Sequence, residues 1–237
     1  MPFRWASLGA SWKTELGSTY VLDYLRGDHS CEVASLVTCG GTKSYRNRSW
    51  EMGDVINSAP AYVGTPTAQY SLSGYSGYAA SQLGRTPMVY VGANDGMLHG
   101  FDASINNDGT KTATTGKELL AYVPGSLRKK MDKLSDPAYA TAHKYYVDGS
   151  PTTGDVEFGG AWHTALVGGL RAGGQAMFAL DVTNPGSFSE AAASTTQLWE
   201  FNDVTGPKGD ADLGYTFSEP GIARLADGSW AAIFGNG

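Results

Sequence analysis

Charged side chains are scarce in this chain of 237 residues. They make up 17% of the residues, against about 25% in a typical soluble domain, and the formal net charge is −6. Binding to nucleic acid requires clustered lysine and arginine. The basic cluster of residues 128–130 with Lys133 fits the solvated face of a short helix instead. We therefore expect no nucleic-acid partner.

Long apolar runs are absent as well. No stretch approaches the roughly 18 apolar residues that span a bilayer, so the sequence predicts no transmembrane segment. Residues 1–4 lack the apolar core of a signal peptide. A mature or excised part of a secreted protein would have the same features.

Cysteine is limited to Cys31 and Cys39. Neither has a second cysteine or a histidine at the spacing of a zinc site, which disfavours zinc. Two free thiols or a disulfide remain, and we favour the disulfide. It would close a short loop, contribute about 2.5 kcal/mol on the chain-entropy model, and indicate an oxidising compartment.

Motifs for catalysis and for phosphate binding are missing too. The four histidines form no local pair of metal-ligand spacing, and we interpret His99 as a structural strand residue. Neither a nucleophile elbow nor a phosphate-binding loop occurs. Residues 106–109 and 209–212 are rich in Asp, Asn and Gly but lack the full calcium-loop pattern, so they predict ordinary turns. No catalytic, cofactor or metal residue is predicted.

Glycine and aromatic residues, by contrast, are abundant, with 32 Gly, 13 Tyr and 6 Trp. This composition favours many short strands joined by tight turns. A strand–turn–strand pattern covers residues 87–124, returns at 164–201, and begins again at 229. Turns are predicted at residues 94–96, 172–174 and 226–228, where Gly follows Asn, Asp, Ala or Gly.

A further strand is expected upstream of each copy, in a segment marked by a Ser near a Pro. We call residues 53–60, 146–151 and 214–220 the Ser/Pro segments. Repeats of this size indicate β-propeller blades lengthened by inserts. The fold class predicted for residues 53–237 is mainly β, an incomplete β-propeller of about two and a half quinoprotein-like blades. An open ring predicts an exposed apolar face on the third copy.

Residues 1–52 form a different region, a helical lead-in followed by the cysteine loop. Apolar residues recur every three or four positions over residues 3–26, which predicts one or two helices. Ser18 or Thr19 could begin the second helix and Gly27 could end it. Another helix is predicted in the insert at residues 126–142, up to a break at Pro137.

An aromatic insert at residues 67–84 carries the candidate surface-binding residues Tyr70, Tyr75 and Tyr78. Tyrosine gives a large contact area at low entropy cost. The alternative is a flexible insertion that binds nothing.

Several segments occur in an order that resembles a known family. They are residues 23–28 (Asp-Tyr-Leu-Arg-Gly-Asp), 45–49 (Tyr-Arg-Asn-Arg-Ser), 53–60, 89–102 and 233–237. Over nearly the whole chain this set resembles the C-terminal propeller domain of the type IV pilus tip-associated adhesins, the PilC/PilY family.

The resemblance implies a modified β-propeller on a secreted protein of the cell surface, pilus tip or outer membrane. It implies a non-enzymatic role in pilus biogenesis and tip adhesion, supporting pilus extension, twitching motility and surface attachment. Pilins or other pilus assembly proteins are the implied partners, with a host receptor or glycan in addition. The family's calcium loop lies downstream of the segment matching residues 234–237. We therefore expect calcium in the full-length protein and no cofactor within this chain.

Two alternative functions stay open. A PQQ-type quinoprotein dehydrogenase also has propeller strands of this kind, although the vicinal cysteines frequent in those enzymes are missing here. A glycan-binding propeller would use the three insert tyrosines.

Overall fold

The strands of this protein form two four-stranded antiparallel sheets and a separate hairpin in the computed structural model, which describes residues 1–40 and 44–237. The first sheet contains β1 (Ala61–Val63), β2 (Met88–Gly92), β3 (Leu98–Asp102) and β4 (Glu118–Tyr122). The second contains β5 (Thr152–Phe158), β6 (Ala161–Gly169), β7 (Ala176–Asp181) and β8 (Gln197–Asn202). The hairpin consists of β9 (Gly221–Arg224) and β10 (Trp230–Ile233).

This arrangement confirms a mainly β fold of antiparallel sheets. Strands within each sheet follow one another in chain order, as in a meander. The three sheets are separate and do not close into a ring. The number of blades and their quinoprotein character therefore stay predictions.

Tight turns lie where the sequence predicts them. Gly96 between β2 and β3, and Gly228 between β9 and β10, adopt φ angles of 95° and 90°, which favour glycine. Between β6 and β7 the connection includes a short 3-10 helix, Arg171–Gly173, rather than a simple two-residue turn.

The first strand of each sheet begins directly after the proline of its Ser/Pro segment, at Ala61, Thr152 and Gly221. The predicted extra strand is thus present, but it follows the segment instead of lying in it. Proline has no N–H to donate to a sheet, so pairing starts beyond it. The serine contributes a hydrogen bond of its own. Gly92 donates its backbone N–H to Ser58 Oγ at 2.9 Å, and the backbone N–H of Gly235 donates to Ser218 Oγ at 2.8 Å.

Successive Ser/Pro segments are joined to the preceding sheet and to one another. The backbone N–H of Tyr146 donates to Asn94 Oδ1 at 2.9 Å, in the β2–β3 turn. Thr216 Oγ1 accepts the N–H of Leu170 at 3.0 Å, in the β6–β7 turn. Between the first two segments, Ala59 donates its N–H to Ser150 Oγ at 3.0 Å. The second and third segments therefore each complete the hydrogen bonding of the sheet before them.

Two short helices make up the lead-in, α1 (Ala10–Leu16) and α2 (Thr19–Leu25). Ser18 is the N-cap of α2, and its Oγ accepts the backbone N–H of Val21 at 3.3 Å. The chain leaves the helix through Gly27, whose φ is 101°. Both helices bury apolar side chains in the same hydrophobic cluster as the sheets. The boundary between residues 52 and 53 stays a prediction.

The helix predicted in the insert at 126–142 is a 3-10 helix, Gly125–Ser135. Its buried residues Leu127 and Met131 lie in the cluster that contains the lead-in helices. A second 3-10 helix, Pro137–Thr141, follows after Asp136, whose side chain accepts the backbone N–H of Ala138 at 2.9 Å. The break falls at the predicted Asp-Pro pair.

The hairpin and its Ser/Pro segment carry exposed apolar side chains, among them Tyr215, Phe217, Leu225 and Ile233. Other residues of the hairpin pack on the second sheet. Ile222 and Ala232 contact a small cluster of Val167, Met177 and Ala179.

Candidate functional site

The two cysteines form a disulfide, with 5.6 Å between the Cα atoms of Cys31 and Cys39. Both residues are buried. The bond closes the loop that follows α2, and its chemistry fits an oxidising compartment.

The aromatic insert is not a flexible loop throughout, because α3 (Tyr75–Ser81) forms within it. Tyr75 is only 3% exposed, and its hydroxyl donates to Asp155 Oδ2 on β5 at 2.6 Å. Tyr78 is partly buried, with its hydroxyl 2.6 Å from Thr164 Oγ1 on β6. Burial, followed by the bond to Asp155, raises the pKa of Tyr75. These two tyrosines hold the insert against the second sheet.

Rings from the insert pack around Trp162 on β6. The ring centroids of Tyr70, Tyr75 and Tyr78 lie 5.7, 4.7 and 6.4 Å from that of Trp162. Tyr70, at 38% exposure, is the most accessible of the three. The structure thus brings the three predicted residues together, with the Tyr75 ring enclosed by its neighbours. Binding of a ligand at this surface stays a prediction, and Tyr70 is the residue best placed for it.

A further candidate site is a cleft between α1, β4 and the chain around Phe188. It has a volume of about 830 Å³. We call it the His99 cleft. Its apolar wall includes Leu8, Trp12, Leu119 and Phe188, and its ionisable residues include Arg26, Asp95, His99, Glu118, Glu190 and Glu200. Carboxylates outnumber cationic groups among these residues, so the lining combines an apolar wall with a net negative charge.

At one end of the cleft His99 lies between two carboxylates. Its Nδ1 is 2.5 Å from Glu118 Oε1, and its Nε2 is 3.0 Å from Asp95 Oδ2. Burial of the ring opposes protonation, but the hydrogen bonds to Asp95 and Glu118 outweigh it and raise the pKa of His99 to about 9. The ring is therefore a cation at neutral pH, with both nitrogens occupied. That arrangement suits a fixed structural charge better than a catalytic base.

Asp95 also fixes the surrounding backbone. Its carboxylate accepts the N–H of Gly53 at 2.6 Å and the N–H of Met97 at 3.0 Å. The histidine, the β2–β3 turn and the first Ser/Pro segment are therefore held as one unit at the edge of the cleft.

Glu200 on β8 joins the two sheets at the other end. Its Oε1 accepts the hydroxyl of Tyr122 on β4 and, at 2.8 Å, the backbone N–H of Gly125. Burial, followed by the negative charge of Glu200, raises the pKa of Tyr122. The tyrosine consequently stays a neutral donor, and the side of the cleft is rigid there.

The two Asp/Asn/Gly loops are hydrogen-bonded turns. Asp108 Oδ1 accepts the backbone N–H of Thr110 at 3.0 Å, and Asp210 Oδ1 accepts the N–H of Asp212 at 2.9 Å. Over residues 1–40 and 44–237, no group of three or more His, Cys, Asp or Glu side chains is placed to hold a metal ion.

Sequence reasoning identified His99 as a structural strand residue but missed its partners. Asp95 lies four positions away, in a predicted turn, whereas Glu118 lies on another strand. The sequence contains one usable signal, an aspartate in a predicted turn, four positions before a histidine on the strand that follows. It offered none for the opposite side of the cleft, which comes from the lead-in.

Comparison with known proteins identifies the family to which this chain belongs. The family model described as the PilY1 beta-propeller domain matches residues 52–237, and the chain belongs to this family. It is 42% identical, over 99% of its length, to the type IV pilus biogenesis factor PilY1 of Pseudomonas aeruginosa strain PAK. It is 41% identical, over 92% of its length, to a PilY1 homolog of Xylella fastidiosa strain Temecula1.

The match covers 19% of the Pseudomonas protein and 14% of the Xylella protein, so the chain spans a fifth or less of these relatives. The crystal structure of the P. aeruginosa PilY1 C-terminal domain is similar, with a TM-score of 0.54 and 42% identity. That match covers 74% of this chain and 31% of the other. None of the helices among the described residues has the length and apolarity needed to cross a bilayer.

Proposed function

We propose that this chain is a non-enzymatic module of a type IV pilus biogenesis protein. It supports pilus extension, twitching motility and surface attachment, with adhesion at the pilus tip. The observation that carries this proposal is the 42% identity to a type IV pilus biogenesis factor over 99% of the chain. The antiparallel sheets supply the scaffold, and the His99 cleft supplies a site for a partner.

The partners in this proposal are pilins or other pilus assembly proteins, with a host receptor or glycan as a further ligand of the whole protein. The location is the cell surface, at the pilus tip or on the outer membrane, after secretion. Calcium belongs to the full-length protein in this proposal, outside the residues of this chain.

A binding role fits the cleft better than catalysis does. Both nitrogens of His99 are engaged by carboxylates, and Glu200 is engaged by Tyr122 and Gly125. These groups are committed to internal hydrogen bonds. No feature of the cleft favours the quinoprotein dehydrogenase, and assay of the purified chain with PQQ, calcium and a redox dye should give no turnover.

The test is deletion of the parent gene followed by complementation. We expect the deletion to reduce surface pili, measured by immunoblot of sheared pilin, and to shrink the twitching zone. The full-length wild-type gene should restore both. Unchanged pilin and twitching in the deletion strain would contradict the proposed function.

A matched pair of variants examines the cleft in the same strain. Ala121 is an exposed residue of β4 that lines the cleft, and Ala121→Arg would place a long cation in it. Ala80→Arg makes the same change on the exposed side of α3, away from the cleft. We expect Ala121→Arg to lower surface pilin several-fold and Ala80→Arg to leave it unchanged, with both proteins present at normal amounts.

A further inference from the structure

Residues 51–54 connect the lead-in to the first Ser/Pro segment, and we call them the junction. They lie outside every helix and strand, and all of them except Gly53 are exposed. The backbone N–H of Gly53 donates to Asp95 Oδ2 at 2.6 Å. Asp54 O accepts the backbone N–H of Asn94 at 3.0 Å. Since no sheet or helix contains the junction, its position depends on such single contacts.

Two histidines contact the side chains of the junction directly. His29, just after α2, has its Nε2 3.0 Å from Glu51 Oε1. His143, which follows the 3-10 helix Pro137–Thr141, has its Nε2 3.0 Å from Asp54 Oδ2. The two ends of the junction are therefore each held by a histidine, one from the lead-in and one from the insert.

A third histidine, His99 on β3, acts through Asp95. Its Nε2 is 3.0 Å from Asp95 Oδ2, the same oxygen that accepts the N–H of Gly53. Asp95 and Glu118 flank the ring and keep its pKa at about 9. Three of the four histidines in the chain thus converge on four consecutive residues, although they come from widely separated positions.

The charge of His29 is set by four neighbouring groups. Three carboxylates favour its cationic form, those of Asp28, Glu32 and Glu51. The guanidinium of Arg48 opposes it. The hydrogen bond to Glu51, followed by that to Glu32, raises the pKa of His29 above its ordinary 6.5. The stabilisation from this ring is therefore complete below pH 6.5 and is lost as pH rises through the raised value.

His143 faces one carboxylate, that of Asp54, and two aromatic rings. The ring centroids of Tyr139 and Tyr145 lie 5.7 and 5.4 Å from its own. Burial raises the pKa of Tyr139, so that phenol adds no charge at neutral pH. The contact between His143 and Asp54 is an ion pair only when the imidazole is protonated.

We propose that the junction is a proton-dependent clasp, held in place while the three histidines are charged and loosened as they lose their protons. The pairs of His29 and His143 are exposed, so each contributes modestly, but they act on the same four residues. Glu51 and Met52 also line the His99 cleft, so the clasp sets one edge of that cleft. A response of a pilus partner to the clasp rests on the proposed function.

Hydrogen exchange in the full-length protein measures the clasp. The probes are peptides that contain the backbone N–H groups of Gly53 and Asn94, with exchange rates corrected for the pH dependence of an unstructured chain. We expect their protection to fall about threefold or more between pH 6 and pH 8. His99 keeps its charge in the folded protein over this range, so the fall reports His29 and His143.

Two double variants separate charge from hydrogen bonding. His29→Gln with His143→Gln keeps polar groups without the charge, and should show at pH 6 the low protection that the wild type has at pH 8. His29→Lys with His143→Lys stays charged up to about pH 10, and should keep high protection at pH 8. The matched control is His163→Gln, which removes a histidine paired with Asp181 at 2.8 Å on the second sheet. It should behave as the wild type does.

Protection of the wild type that stays constant from pH 6 to pH 8 would overturn the clasp and leave the pilus function standing. An equal fall in the glutamine double variant would also overturn it, because groups other than these histidines would then be titrating. Loss of protection at pH 8 in the lysine double variant would show that charge at these positions does not hold the junction, and would overturn it too.

Discussion

The side-chain amide nitrogen of Asn57 lies 2.9 and 3.1 Å from the two carboxylate oxygens of Asp148, 91 residues later in the chain. Asp148 is fully buried, and its other side-chain partner, Arg171, is 3.4 Å away. A buried carboxylate is tolerated when it is hydrogen-bonded. This pair therefore links the first two Ser/Pro segments through one amide and one carboxylate.

Replacing Asn57 should be costly for that reason. We expect Asn57→Ala to lower the free energy of unfolding by about 2–4 kcal/mol, because the Asp148 carboxylate keeps only the distant arginine. Urea denaturation of the variant and the wild type measures this difference in the free energy of unfolding. In an Asp148→Asn background the same change should cost about 1 kcal/mol or less. Equal costs in both backgrounds would show that the buried carboxylate is not the reason.

The stability of the protein should depend on His99 at alkaline pH. The folded-state pKa of about 9 lies above the ordinary value of 6.5, so the stabilisation is complete below pH 6.5 and is lost as pH rises through 9. We expect the free energy of unfolding to fall by roughly 2–3 kcal/mol between those values. His99→Gln should abolish most of this fall. The control His143→Gln should retain it, and a fall that persists in His99→Gln would refute the assignment.

The insert tyrosines should differ in their contributions to stability. Tyr75→Phe removes the hydroxyl that donates to the buried Asp155, and we expect a loss of about 1–2 kcal/mol in the free energy of unfolding. Asp155 would keep the hydrogen bond from Thr164. Tyr70→Phe should change stability by less than about 0.5 kcal/mol, because that ring reaches solvent. Similar losses in the two variants would show that the Tyr75–Asp155 hydrogen bond is not what holds α3 against the second sheet.

Close packing at Gly173 leaves no room for a side chain. A Cβ built there would lie 1.6 Å from Tyr146 O, so the backbone must move. We expect Gly173→Ala to lower the free energy of unfolding by more than about 2 kcal/mol. Gly77→Ala is the matched control, since it lies in α3 with open space around it and should raise stability by up to about 1 kcal/mol. Thermal melts of both variants measure the difference.

Local signals accounted for much of the fold. The Asn94-Asp95-Gly96 turn and the N-cap at Ser18 are predictable from the sequence, because each depends on side chains within a few residues of the backbone they stabilise. Helix α3 is not predictable in this way. Its sequence, Tyr-Ser-Gly-Tyr-Ala-Ala-Ser, has weak helix propensity, and its packing on Trp162 depends on a contact more than 80 residues away.

The His99 cleft shows the same limit. The register that places His99 opposite Ala121 brings Glu118 within reach, and that register includes an irregularity between Gly100 and Phe101. Pattern alone does not reveal such a shift. Tertiary contacts likewise place Leu8 and Trp12 on the same cleft as β4, whereas the sequence predicts only an amphipathic periodicity there.

The joining of each sheet to the next Ser/Pro segment has a consequence for the order of folding. Asn94 Oδ1 receives its donor from Tyr146, 52 residues further along the chain. A polypeptide that emerges from its N-terminus therefore cannot finish the first sheet until the start of the second unit has appeared. The same holds for Leu170 and Thr216, which are 46 residues apart. In a chain that has emerged only that far, the side-chain oxygen of Asn94 and the backbone N–H of Leu170 would lack these partners and would be hydrated by water.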